Sequence, residues 1–193
     1  RLISFDYYQT ILEKTTSEEV VLLDIGEKSL ELGGQWPWPR SQIAQLVSDL
    51  RSSNAGIIGL TMMFPEADRF GQDDILKSWL DENGVVLSQV PSSRGREITA
   101  PYVGTAILGN GDPYNFAYEY SGIVTNITEL EQSAAGVGMI NAAPEVDGIV
   151  RRIPLISQIN KQIYPAMPME MVRVMSDRLS YTMKVETTGI ENF

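Results

Sequence analysis

Over its first half the chain alternates short apolar runs with amphipathic stretches, and this alternation narrows the available folds more than any other feature. Residues 20–25 are apolar except for Asp24, as suits a strand buried on both faces of a parallel sheet. From Arg40, the residues Ile43, Leu46, Val47 and Leu50 follow the i, i+3, i+4, i+7 spacing of a helix face, which Asn54 and Gly56 end. A strand over 56–64 follows. Asp73 and Asp74 then open a helix carrying Ile75, Leu76, Trp79 and Leu80, which stops near Asn83-Gly84 ahead of a strand over 85–90. Strand, helix, strand, helix, strand is a doubly repeated βαβ unit. It predicts an α/β fold with a mixed, mainly parallel central sheet, right-handed connections and helices on both faces. A ligand crevice in such a sheet lies beyond the carboxyl ends of the strands, where Asp24, Glu27, Thr61, Pro65 and Glu66 stand.

The rest of the chain is less regular. Residues 1–13 read as a helix through Leu2, Ile3, Phe5, Ile11 and Leu12, and polar, Gly-rich stretches at 92–97 and 109–115 mark loops around a strand over 102–108. Residues 136–142 and 149–156 flank Asp147-Gly148, a dipeptide suited to a tight hairpin turn, so an antiparallel hairpin is expected there. Pro168, Met171, Val172, Met175 and Leu179 give a last amphipathic helix, followed by a strand over 181–185. With 193 residues, 43% of them hydrophobic, the chain suffices for one domain with a substantial core.

Two of the three tryptophans and two of the ten prolines fall in Trp36-Pro37-Trp38-Pro39-Arg40. Proline drives the residue before it toward extended backbone, so Trp36 and Trp38 stay out of helix until Pro39, which suits a first turn, and the segment forms a stiff aromatic wall. Arg40 then stands at a helix N-terminus, where the macrodipole opposes a cation, so an anionic partner is expected. Asp24 is the acid the sequence offers, and the two read either as a charge-assisted pair or as direct ligand contacts. Arg151 and Arg152 follow the turn signal; alternation sends one to each side, one toward an acid or an anionic ligand and the other to solvent. The candidate ligand-binding residues are therefore Asp24, Trp36, Trp38, Arg40, Glu66, Arg151 and Arg152.

Other chemistries find less support. The chain has no histidine and no cysteine, which excludes a histidine-dependent serine triad, imidazole-ligated zinc, thiolate catalysis and disulfides. A net charge of -10 and scattered arginines argue against nucleic acid. No G-x-x-x-x-G-K-[ST] motif occurs, and Gly136-x-Gly138 lacks the third glycine of a dinucleotide fingerprint. Asp24, Glu27, Asp68, Asp73 and Asp74 read as caps and a solvated acidic rim rather than a divalent-cation site. Met167, Met169, Met171 and Met175 have the spacing of core packing, and Asn126-Ile127-Thr128 is only a formal glycosylation sequon. No apolar run reaches the roughly 18 to 20 residues of a membrane helix. No cofactor, catalytic residue or metal ligand is assigned.

Val21-Leu22-Leu23-Asp24-Ile25-Gly26, Ser29-Leu30, Gly34, Trp36-Pro37-Trp38-Pro39-Arg40, Phe64-Pro65-Glu66, Asp73-Asp74 and Asp147-Gly148-Ile149-Val150-Arg151-Arg152-Ile153-Pro154-Leu155 together resemble the second family of CHASE domains. These are extracytoplasmic sensory modules of bacterial receptors. The resemblance runs from about Arg1 to Tyr164-Pro165. One departure is Thr61-Met62-Met63-Phe64, where the family often carries an aspartate shortly before the phenylalanine. The resemblance implies a non-enzymatic sensor outside the cytoplasmic membrane, tethered by segments beyond this chain and linked to a cytoplasmic adenylate or guanylate cyclase, histidine kinase or serine/threonine kinase. The chain as a whole is read as a single sensory domain over 1–193: a membrane-proximal helix at 1–14, a βαβαβ half at 18–92 and a mixed half at 100–193. A small-molecule or environmental stimulus and a homodimer are the expected partners. The rival readings are a dimerisation module without a small-molecule ligand, and a metal-dependent hydrolase or transferase.

Overall fold

A computed structural model describes residues 2–13, 17–80, 84–96, 102–141 and 144–192. The chain divides into two units, Arg1–Trp38 and Pro39–Phe193.

The first unit contains helices α1 (Leu2–Ile11) and α2 (Glu27–Gly33), and neither buries a residue. The helix expected at 1–13 is present as α1. The strand expected at 20–25 is not: these residues have no regular secondary structure, and Val20, Val21, Leu22 and Leu23 are exposed. The apolar run meets the pattern of a buried strand, but its backbone N–H and C=O groups join no ladder. Gly34, at φ 87°, ends α2 with its N–H bonded to the Leu30 carbonyl.

In the second unit the elements run α3 (Arg40–Ser52), β1 (Ile58–Leu60), α4 (Asp73–Leu80), β2 (Val85–Arg96), β3 (Thr105–Gly109), a 3-10 turn (Pro113–Asn115), β4 (Tyr118–Glu119), β5 (Ile123–Val124), α5 (Thr128–Ser133), β6 (Gly136–Met139), β7 (Ile156–Ile159), β8 (Gln162–Pro165), α6 (Met167–Met175), β9 (Tyr181–Glu186) and β10 (Gly189–Asn192). The central strand is β2. Its first half pairs in parallel with β1 on one side and β6 on the other, with Ile58 opposite Val85 and Gly136 opposite Val86. Its second half pairs antiparallel with β5 at Val90 and Pro91. The βαβαβ pattern therefore exists one element later than the sequence suggested, as β1-α4-β2 followed by a longer crossover through α5 to β6.

Residues 85–89 are buried throughout, because α6 packs across β1, β2 and β6 while α3, α4 and α5 contribute Val47, Leu76, Leu80 and Leu130 to the core. The expected helix faces hold at Ile43 and Val47 of α3, joined by Ala44, and at Leu76 and Leu80 of α4, whereas Ile75 is exposed. Met167 and Met171 pack against Gly59 of β1 so closely that a Cβ there would lie 3.0 Å from Met167 Cε and 2.9 Å from Met171 Sδ. Met167 and Met171 thus take the core role expected of the methionine stripe, whereas Met175 is 69% exposed.

Two smaller sheets complete the unit. In one, β9 lies between β3, parallel to it, and β10, antiparallel; in the other, β7 lies between β4, parallel, and β8, antiparallel. The C-terminal half does contain antiparallel hairpins, but they are β7–β8, turning at Asn160-Lys161 with φ 48° and 57°, and β9–β10. At Asp147-Gly148 the chain does turn, with Gly148 at φ 80° and the Glu145 N–H bonded to the Ile149 carbonyl. Its flanks do not pair with each other. Pro144 and Pro154 cannot donate to a ladder, Ile149 and Val150 are exposed, and β6 spends its pairing on β2.

Candidate functional site

Pro39 takes the N-cap of α3 and Arg40 its first position, as the W-P-W-P-R reading required. The anion that answers Arg40 is Asp73: Arg40 Nε donates to Asp73 Oδ1 at 3.0 Å, and Nη2 donates to the Glu66 backbone carbonyl at 2.9 Å. The guanidinium also lies 4.4 Å from the centre of the Phe64 ring. Asp73 thus fills the role that sequence reasoning gave to Asp24, because it opens α4 beside the start of α3. Its Oδ2 accepts the Asp68 N–H at 2.7 Å, while Asp68 Oδ2 accepts the Gln72 N–H at 3.1 Å and Gln72 Oε1 accepts the Ser41 N–H at 3.2 Å. The result is a cross-braced corner that joins two helix N-termini. Glu66 contributes backbone to it rather than its carboxylate.

Asp24, Trp36 and Trp38 belong to the other unit. Asp24 is exposed; the two indoles lie 5.9 Å apart, tilted by 55°, and Trp38 Nε1 donates to the Gly34 carbonyl at 3.0 Å. Arg151 and Arg152 differ in burial, with side chains 4% and 71% exposed, but they do not part to opposite sides, since both reach the Glu145 carboxylate, at 3.7 and 3.1 Å. Arg151 forms a two-pronged pair with Asp147, at 2.9 and 2.7 Å, which pulls that carboxyl down to about 2. Arg152 Nη1 donates to Glu145 Oε1 at 3.1 Å.

Sequence reasoning missed three polar constellations. Glu170 of α6 is fully buried, receiving Arg173 Nη2 at 2.7 Å on Oε1 and Tyr181 Oη at 2.6 Å on Oε2. Burial and the Glu170 carboxylate both push the Tyr181 phenol up. A Cβ on Gly136 would sit 2.3 Å from Glu170 Oε1, so that glycine is the signal for the pair. Asn126 is the second. Its Oδ1 accepts the Phe64 N–H at 2.8 Å, its Nδ2 donates to the Ser88 carbonyl at 2.9 Å, and Glu131 Oε1 accepts its backbone N–H at 3.0 Å. This buried amide clamps the chain after β1 to β2, so the sequon is structural. Among the described residues, no group of three or more acidic side chains converges as a metal site.

The third is a cleft of about 580 Å³. Val90 and Pro91 line it where β2 leaves the parallel sheet, and Ile140 and Asn141 where β6 ends; Tyr118, Tyr120 and Pro144 close it. This is the position beyond the strand ends that a parallel sheet favours, here at β2 and β6 rather than at the strands that Asp24 and Glu66 follow. Tyr118 and Tyr120, two residues apart at the end of β4, place their rings 4.9 Å apart. Asn141 Nδ2 donates to Tyr120 Oη at 2.7 Å and to Ser157 Oγ at 3.2 Å. The aromatic i, i+2 spacing was the readable signal for this site.

Among the described residues, no helix is long and apolar enough to cross a membrane. Comparison with curated proteins and with solved structures gives no match. The family model of the CHASE2 domain matches residues 1–190. The chain belongs to the CHASE2 family of extracytoplasmic sensory domains.

Proposed function

We propose that this chain is the external sensor of a bacterial transmembrane receptor and that it relays an unidentified stimulus to a cytoplasmic adenylate or guanylate cyclase, histidine kinase or serine/threonine kinase. The observation that carries this reading is the family match over residues 1–190. The paired ionic groups support it: Arg40 with Asp73, Arg151 with Asp147 and Glu170 with Arg173 brace loops and helices, which suits a body that holds two arrangements. The stimulus acts through unequal affinity for those arrangements; a tenfold preference supplies about 1.4 kcal/mol. The receptor works as a homodimer, tethered to the membrane by segments outside this chain.

The test uses spheroplasts carrying the full-length parent. Protease added outside should remove this domain and change cyclase or kinase output. A domain resistant to external protease while accessible in lysed cells, or output unchanged after its removal, overturns the reading. A dimerisation module without small-molecule ligand is the second reading, favoured by the exposure of Ile3, Val21, Leu22 and Leu32 in the first unit. Sedimentation of the purified chain as a monomer at all concentrations would remove it.

A further inference from the structure

We infer that the free edge of β3 is a docking surface for a second copy of this chain, the two β3 strands pairing antiparallel about a twofold axis at Ile107. This deepens the homodimer of the sensor reading, on which it rests, by assigning its contact.

The edge is open and unguarded. The Tyr181 N–H donates to the Gly104 carbonyl at 3.3 Å, and Thr105–Gly109 run parallel to Tyr181–Val185. Alternate residues of a strand turn their peptide groups to opposite edges, so Ala106 and Leu108 serve β9 while Thr105 and Ile107 face away from it. Among the described residues no strand meets that side. A free edge is a template for another strand, and folded chains guard against this with shortness, charge, proline or a bulge. The other edges are guarded or occupied: β1 has three residues and β4 and β5 two, β8 ends on Pro165, β6 is bridged at Met139 to Ala166, and β10 carries Glu191 and a register shift. The five residues of β3, Thr-Ala-Ile-Leu-Gly, include none of these devices.

The centre of this edge is apolar and exposed on both faces. Ile107 shares the inner face with Met183 and Val185, which pack on Ala117, Ile156 and Ile163 and are 0% exposed. That cover stops short of β3, and Ile107 is 41% exposed. On the outer face Leu108, beside Lys184, is 55% exposed.

The occupant that fits is the same strand. An axis at Ile107 is the register that overlaps all five residues, and there the two Ile107 backbones exchange N–H and C=O bonds. It sets Ile107 against Ile107 on the inner face and Ala106 against Leu108 twice on the outer face, a small side chain beside a large one each time. In a chain of net charge -10, self-pairing through an uncharged strand brings no like charges face to face. Five residues against five bury less than a standard interface, so the pairing is reversible and gains from the membrane tether, which raises the local concentration.

The chain has no cysteine, so one introduced thiol reports one position. Ile107→Cys should oxidise to a covalent dimer at least about tenfold faster than Thr182→Cys, an exposed control on the neighbouring strand. Sedimentation equilibrium is the second arm. Ile107→Lys and Ile107→Asp should each weaken self-association about fivefold or more at unchanged melting temperature, because like charges then meet at the axis, and an equimolar mixture of the two should restore it. Should the charge variants fail to fold, the comparison of the two thiols decides. Equal oxidation of the two thiols, unchanged association in the charge variants, or a mixture no better than its components overturns the inference. A dimer that persists in both charge variants leaves the homodimer standing and removes β3 as its contact, whereas a chain that is monomeric at every concentration and unlinked at Ile107 removes both.

Discussion

The tripeptide Val-Val-Leu occurs at residues 20–22 and again at 85–87, with opposite fates. Val85, Val86 and Leu87 are 0% exposed, whereas Val20, Val21 and Leu22 are 76%, 84% and 92% exposed. Composition and local propensity are the same in both places. What differs is what surrounds them. The second copy has β1 and β6 on its two edges and α6 over one face, so every backbone group enters a ladder and every side chain meets a layer. The first copy, in the unit Arg1–Trp38, has no strand pairing. An apolar run states a capacity for burial; neighbours on edges and faces convert it into a strand.

The largest expected effect comes from breaking the cover over the buried copy. Arg173→Met leaves the buried Glu170 carboxylate without its cation, with the Tyr181 hydroxyl still donating to it, inside the contact of α6 with β6, and should cost about 3–5 kcal/mol in urea unfolding. A loss under about 1 kcal/mol would mean that α6 is not held there by the pair. Next comes a direct contest between the copies. Leu87→Ala should cost about 2–5 kcal/mol through the cavity it leaves, and Leu22→Ala less than about 0.5 kcal/mol. Equal losses would erase the distinction and show that residues 20–22 are buried in solution.

The same contrast explains which parts of the molecule were legible in the sequence. Helix faces could be read because period and burial coincide in a single element, as with Ile43 and Val47 or Leu76 and Leu80. The crossover through α4 from β1 to β2 was also readable. Which strands take part was not, because that depends on partners distant in sequence: the same Val-Val-Leu supports either outcome. The hairpin failed for a related reason. Asp147-Gly148 is the stronger turn signal, yet a turn becomes a hairpin only if its flanks can pair, and two prolines and a competing partner for β6 prevent it. Asn160-Lys161 has a weaker signal but sits between β7 and β8, which are buried and paired. At Arg40 the need for an anion was legible from the helix dipole, while the identity of Asp73 depended on how two helix N-termini meet.

Smaller effects come from two carboxylates, Asp147 and Glu131. Asp147 is held down to about 2 by Arg151, below the ordinary 3.8, so its contribution is fully present above that ordinary value and is lost as pH falls through about 2. Carbon-13 NMR of the Asp147 carboxyl should follow that titration, and Arg151→Met should return it to the ordinary range. A normal titration in the unsubstituted protein would mean that the Arg151 pair does not form in solution.

Glu131 behaves in the opposite sense, and its effect is the smallest. Burial raises its carboxyl above the usual 4.5 despite the hydrogen bonds it accepts from the Asn126 backbone N–H and side chain. Between the ordinary value and the raised one, the folded chain holds more of this proton than the unfolded chain, so stability falls as pH rises through that window and stays lowered above it. Glu131→Gln keeps an oxygen for the Asn126 N–H and removes the charge. The variant should therefore match the parent protein near pH 4 and melt slightly higher at pH 7. A variant that melts lower at pH 7 would show that the ionised carboxylate is worth more to Asn126 than its burial costs, and that the clamp joining the chain after β1 to β2 depends on charge.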